Sequence, residues 1–221
     1  MKPPIAAKKS KRLRLHGETR IDEYFWLRER DNPEVIAYLE AENRYTAARM
    51  RGTKDLQEKL KKLKILILDV DGVMTDGRVF WLEGHGWTRN FHVQDGYGLK
   101  LLMKHGVQVA VISGGESDDV RTRMKFLKIE HVFLGDEDKL KALDKIVAAT
   151  GLALEQMAFM GDDLFDIPVL ERVGFSATVP HAVEQVKRRV HYVTQAQGGW
   201  GAVREIADAI RKAQGLGPYL E

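Results

Sequence analysis

Asp69 and Asp71 stand two residues apart at the end of an apolar run, in ILILDVDGVMTDG. Other stretches repeat the arrangement. VQVAVIS ends on Ser113 and is followed by Gly114; Lys139 opens an amphipathic stretch; MAFMG is followed by Asp162 and Asp163, with Asp166 shortly after. Carboxylates gathered at one place repel each other unless a cation lies among them. A few oxygen ligands suit magnesium, which keeps several waters and leans on a substrate phosphate. A carboxylate beside such a phosphate can attack phosphorus and form an aspartyl-phosphate. Asp69, at the strand end, is the expected nucleophile. Asp71, across the turn, is placed to protonate the leaving alkoxide and later to activate water. Lys139, the Ser113 hydroxyl and the Gly114 backbone N–H are placed to hold the phosphoryl oxygens as charge spreads over them. Asp163 and Asp166, at a helix start, are expected to support the metal ligands. Each piece alone reads as a surface turn, a cap or a solvated lysine. All of them in one order, each at a strand end or a helix start, point to one shared site.

The elements that must position these residues are legible as alternating patterns. Apolar runs at 65–69, 107–113, 131–135, 157–161, 175–179 and 191–194 read as buried strands. Amphipathic stretches at about 97–105, 117–127, 138–150, 163–173, 181–189 and 201–214 read as helices. That alternation predicts an α/β domain, a parallel sheet covered on both faces, with ligands at the carboxyl ends of the strands. One segment breaks the pattern. GRVFWL (77–82) and WTRNFHV (87–93) flank EGHG and predict an inserted β-hairpin, too small to be a lid domain. Residues 1–60 show no clear buried strand. Asn32-Pro33-Glu34 reads as a helix start, with the helix reaching about Met50 and Gly52 ending it. The expected organisation is a mainly helical, basic appendage over 1–60 and an α/β domain over 61–221.

Composition narrows the function classes. The 221 residues are 44% hydrophobic and 30% charged, ordinary for a globular protein. There is no cysteine, hence no disulfide, thiolate metal site or cysteine nucleophile. No apolar run approaches a membrane span and no secretory signal opens the chain, so a cytoplasmic protein with no membrane partner is expected. The net charge of +3 is uneven: residues 1–60 hold 14 Lys and Arg against 10 Asp and Glu, the rest 21 against 22. The opening MKPPIAAKKSKRLR carries six bases, but no aromatic residue interleaves with them, so it reads as a solvated tail and not as a nucleic-acid arm.

DVDGVMTDG, VISGGES, Lys139 and GDDLFD resemble the four motifs of the haloacid dehalogenase superfamily of phosphohydrolases. DGVMTDGRVFW, FHVQDGYGLKLL, GDDLFDIPVL and YVTQAQGGWGAVREI resemble, more closely, the 3-deoxy-D-manno-octulosonate 8-phosphate phosphatases, over about 60–215. That resemblance implies a cap-less Rossmann-like domain, a bound magnesium ion, a phosphosugar substrate from lipopolysaccharide biosynthesis and a homotetramer. In it the hairpins assemble and a neighbour helps close each site. It puts the nucleophile on Asp69 and the acid/base on Asp71. The metal ligands fall on Asp69, the Asp71 backbone carbonyl and Asp162, and the phosphate contacts on Ser113, Gly114 and Lys139. Three positions depart from the family, which usually has arginine where this chain has Gln94, Gly115 and Trp200. Either the substrate is another phosphosugar, such as a nine-carbon sugar acid phosphate, or other bases (Arg78, Arg89, Arg204) compensate.

Residues 1–60 resemble the N-terminus of oligopeptidase B, of the prolyl oligopeptidase family, and the resemblance stops where the second pattern begins. The chain is too short for that family's propeller and hydrolase domains and carries no G-x-S-x-G elbow, so peptidase activity is not expected. A binding or regulatory protein that recruits a partner through this arm is the other class of reading.

Overall fold

The computed structural model describes residues 3–217. The chain divides into two compact units, Met1–Asp55 and Leu56–Glu221.

The first unit opens with a hairpin that the sequence analysis did not anticipate: β1 (Lys11–Leu15) pairs antiparallel with β2 (Glu18–Asp22). The two-residue link His16-Gly17 takes positive φ at both positions, the twist a tight hairpin favours. β2 is exposed along nearly its whole length, so it carries no apolar alternation to read. The appendage is therefore not simply helical. Trp26 is buried, donates its Nε1–H to the Ala7 carbonyl at 2.8 Å and meets the Tyr38 ring edge-on. Helix α1 spans Pro33–Lys62 and starts as expected, with the Asn32 side chain accepting from the Glu34 N–H at 2.9 Å. It does not stop at Gly52. A glycine inside a helix costs only about 1 kcal/mol, and the strong helix formers of TKDLQEKLKK continue the turn.

The second unit is built on a six-stranded parallel sheet. Its strands are β3 (Ile65–Leu68), β6 (Gln108–Ser113), β7 (His131–Leu134), β8 (Met157–Met160), β9 (Phe175–Thr178) and β10 (Tyr192–Val193). The spatial order is β10-β9-β8-β3-β6-β7. β3, β8 and β9 are buried at every position, and β3 and β8 accordingly read as unbroken apolar runs, while β9 buries Ser176 and Thr178 as well. Between β3 and β6 come the short hairpin β4 (Phe80–Leu82) and β5 (Gly86–Thr88), then α2 (Val93–Lys104). α2 begins several residues earlier than the pattern suggested, taking over the end of the second hairpin flank. α3 (Asp118–Leu127), α4 (Lys139–Thr150), α5 (Ile167–Leu170), α6 (Glu184–Lys187) and α7 (Ala202–Ala213) complete the layers. The chain winds from β3 outward to β6 and β7, then crosses back to β8 on the other side of β3. That switch opens a crevice at the carboxyl ends of β3, β6 and β8.

Candidate active site

Asp69 continues β3 and is 2% exposed; its N–H still bonds the Met160 carbonyl of β8 at 2.9 Å. After it the chain turns sharply, with the Met74 and Thr75 N–H groups both donating to the Val70 carbonyl. Gly72 lies in this turn with φ +84°, and a Cβ there would fall 2.0 Å from Asp162 Oδ2. Only glycine lets the turn after β3 lie against the carboxylate that follows β8.

Lys139 is the first residue of α4 and 1% exposed. Its Nζ sits 2.8 Å from Asp69 Oδ1 and 2.6 Å from Asp166 Oδ1. The other oxygen of Asp166 accepts the N–H groups of Asp162 (2.8 Å) and Asp163 (3.1 Å). Asp166 is thus saturated by donors and fixes both the lysine and the loop that carries Asp162. Asp163 caps the short helical turn after it, accepting from the Leu164 N–H at 2.7 Å, and stays outside the cluster.

Asp69, Asp162 and Asp166 bring carboxylate oxygens within 4.8 Å of one another. Burial pushes the Asp69 carboxyl up to about 7; Lys139 pulls it back and Asp166 adds to the rise. Asp162 is pushed up to about 8 by burial, then by the charges of Asp69, Asp166 and Asp163. Protons held near neutrality by burial, and then by neighbouring acids, are what a divalent cation displaces on binding. The donors are all oxygen, so the set fits a hard cation.

Ser113 ends β6 and is 2% exposed, its Oγ accepting from the Gly115 N–H at 3.3 Å. A Cβ on Gly115 would stand 3.4 Å from Asp71 Oδ2 and 3.8 Å from Ser113 Oγ, so these two side chains face the same space. The structure therefore brings Asp69, Asp71, Ser113, Lys139, Asp162 and Asp166 to one edge of the sheet. The Asp71 carboxylate turns away from the other acids toward Arg89, at 2.5 and 3.1 Å.

Two features escaped the sequence reading. Gly198 and Gly199 lie on the turn after β3: a Cβ at Gly198 would fall 1.7 Å from the Gly72 carbonyl oxygen, and the Gly199 N–H bonds the Val73 carbonyl at 3.0 Å. The GG pair was the available signal. The second is Asp95, 2% exposed in α2, which accepts the N–H groups of Gly201 (3.3 Å) and Arg204 (2.8 Å) at the start of α7. No local pattern links positions so far apart. Of the three bases named as compensating, Arg78 is largely solvated and Arg204 pairs with Asp208 at 2.8 Å. Of the three, Arg89 alone reaches a candidate site carboxylate, that of Asp71.

Comparison with known proteins finds relatives for both parts of the chain. Residues 122–206 match the haloacid dehalogenase-like hydrolases, and residues 3–74 match the prolyl oligopeptidase N-terminal β-propeller domain. The chain is 41% identical over 160 residues to a 3-deoxy-D-manno-octulosonate 8-phosphate phosphatase of Haemophilus influenzae, covering 72% of this chain and 89% of that protein. It is 38% identical to the Escherichia coli protein of that name, over 73% of this chain and 86% of the other. A crystal structure of the Moraxella catarrhalis phosphatase, in complex with magnesium, phosphate and KDO, superimposes with a TM-score of 0.71 at 38% identity, covering 73% of this chain and 92% of that one.

Proposed function

Because the chain belongs to the 3-deoxy-D-manno-octulosonate 8-phosphate phosphatases of the haloacid dehalogenase-like hydrolases, a phosphoric monoester hydrolase family, we propose that it removes phosphate from 3-deoxy-D-manno-octulosonate 8-phosphate. The activity is assigned to residues 61–221, with an aspartyl-phosphate intermediate on Asp69. The observation that carries this reading is the buried Asp69–Lys139–Asp166 ion chain beside Asp162.

Each side chain then has a task. Lys139 engages Asp69 through Oδ1, leaving Oδ2 to attack phosphorus in line with the leaving oxygen. Two of the three Nζ donors are used by carboxylates, and the third meets a phosphoryl oxygen. The Ser113 hydroxyl and the Gly114 N–H hold the remaining oxygens. Asp71 gives its proton to the departing sugar alkoxide, then takes one from the water that cleaves the aspartyl-phosphate. Asp69, Asp162 and the Asp71 carbonyl would hold magnesium, which when bound neutralises charge on the phosphoryl group. Asp163 and Asp166 support that loop.

The test is a phosphosugar panel with magnesium. We expect release of phosphate from the eight-carbon sugar acid phosphate, and a loss of at least about 10⁴-fold in Asp69→Asn. No release from any phosphosugar would end the proposal. One observation favours a second reading in which the mechanism stands and the sugar changes. Trp200, 66% exposed, lines an opening of about 470 Å³ with Arg78 and His181. An indole there offers an apolar face to sugar carbons at a position where the family usually has an arginine fork. A phosphosugar without a carboxylate, run beside the eight- and nine-carbon sugar acid phosphates in the same panel, decides between the two.

We further propose a homotetramer built through the β4–β5 hairpin. Phe80, Trp81, Leu82 and Trp87 are all exposed there, and a patch of that kind calls for a partner.

A further inference from the structure

The Arg89 side chain is 8% exposed, yet the residue stands directly after the exposed hairpin. Its guanidinium is gripped on both edges. On one edge Nε and a terminal nitrogen donate to the two oxygens of Asp71, at 2.5 and 3.1 Å. On the other, the second terminal nitrogen donates to Ser117 Oγ at 2.8 Å and to Asp119 Oδ1 at 3.4 Å, and the Ser117 hydroxyl itself donates to Asp119 at 2.5 Å. The Asp71 hydrogen bonds raise the Arg89 guanidinium above its ordinary value, against the lowering by burial, and it stays cationic throughout. Gly115 makes the room. A Cβ there would sit 3.3 Å from the guanidinium and 3.4 Å from Asp71.

We propose that Arg89 is the positioning residue for Asp71. This rests on the phosphatase reading above. Ser117 and Asp119 anchor the guanidinium from behind, and its planar fork then fixes the plane of the Asp71 carboxylate. When the Asp71 proton passes to the leaving alkoxide, the O–H bond breaks, the new O–H forms on the sugar, and the negative charge returns to Asp71. Arg89 lies bidentate to the place where that charge appears. It touches no substrate atom and works through the orientation and charge of its partner.

This assignment predicts a dependence on the leaving group. A sugar alkoxide needs the proton, whereas p-nitrophenolate departs without one. In Arg89→Met, kcat for the phosphosugar that the wild-type protein hydrolyses falls by about 100-fold with little change in KM. In single-turnover measurements, which read the first transfer alone and not the later hydrolysis common to both esters, release of p-nitrophenolate falls by less than about 5-fold while release of the sugar falls by about 100-fold. Arg89→Lys keeps the charge and loses the fork, so it shows the same split at about 10-fold, and it carries the test should the methionine variant fail to fold. Equal losses on both esters would reduce Arg89 to a structural contact and overturn the inference, as would no loss on either. Wild-type protein that hydrolyses neither ester would instead bring down the phosphatase reading, and this inference with it.

Discussion

Asp162 and Asp69 sit within one small cluster, and neither has an opposite charge to itself. Lys139 is shared between Asp69 and Asp166; Asp162 is raised by burial first and then by the neighbouring acids, which outweigh the pull of Lys139. The consequence is a sign that runs opposite to the usual salt-bridged aspartate. A carboxyl raised from an ordinary value of 3.8 to about 8 holds its proton more tightly when folded than when unfolded. In metal-free protein the contribution of Asp162 to stability is whole below about pH 4 and is lost progressively as pH rises through 8. Magnesium takes the place of the proton, so its stabilising effect grows over the same range. At a free concentration about 100 times its dissociation constant it contributes about 2.7 kcal/mol, or about 5–10 °C in Tm for a domain of this size. Thermal scans at pH 5 and pH 8, with magnesium and with chelator, measure this directly. A Tm at pH 8 that magnesium leaves unmoved would contradict the cation site.

At the scale of elements, the loop that covers the turn after β3 depends on a contact between two helices distant in sequence. Asp95 of α2 receives the first free N–H groups of α7 and so acts as that helix's cap, though it lies 109 residues away from Arg204. Burial raises its carboxyl above the ordinary range, while the Arg204 N–H, His92 and the Gly201 N–H pull it back. Asp95→Ala leaves those donors buried without a partner and costs about 1–3 kcal/mol. Urea unfolding measures the loss, and faster amide exchange at residues 201–204 locates it. Unchanged exchange there would mean the cap is held otherwise. The same contrast explains what the sequence could show. Fully buried strands such as β3 and β8 announce themselves as apolar runs, and Asp69, Ser113, Lys139 and Asp162 stand at their ends or at helix starts, where local pattern reaches. β1 and β2 have no buried face to pattern, α1 runs through a glycine that propensity tolerates, and the Arg89–Asp71 and Asp95–Arg204 contacts exist only once the sheet has brought distant segments together.

The whole molecule joins two segments of unrelated resemblance. Every group placed in the site lies between Asp69 and Trp200, inside the unit Leu56–Glu221. The unit Met1–Asp55 contributes none of them among the described residues, and the peptidase resemblance it carries comes without a serine elbow. The exposed Trp81 and Trp87, edge to face at 5.4 Å, also lie within the second unit. A chain shortened to residues 56–221 therefore retains kcat for the phosphosugar within about 2-fold, since nothing that touches the transition state is removed. By light scattering the full chain of 25.1 kDa and the shortened one each give four times their own mass, about 100 kDa for the full chain. An active full-length monomer would refute the tetramer while leaving the chemistry intact. A shortened chain that folds, assembles and has lost turnover would show instead that the N-terminal unit has been drawn into the working of the site.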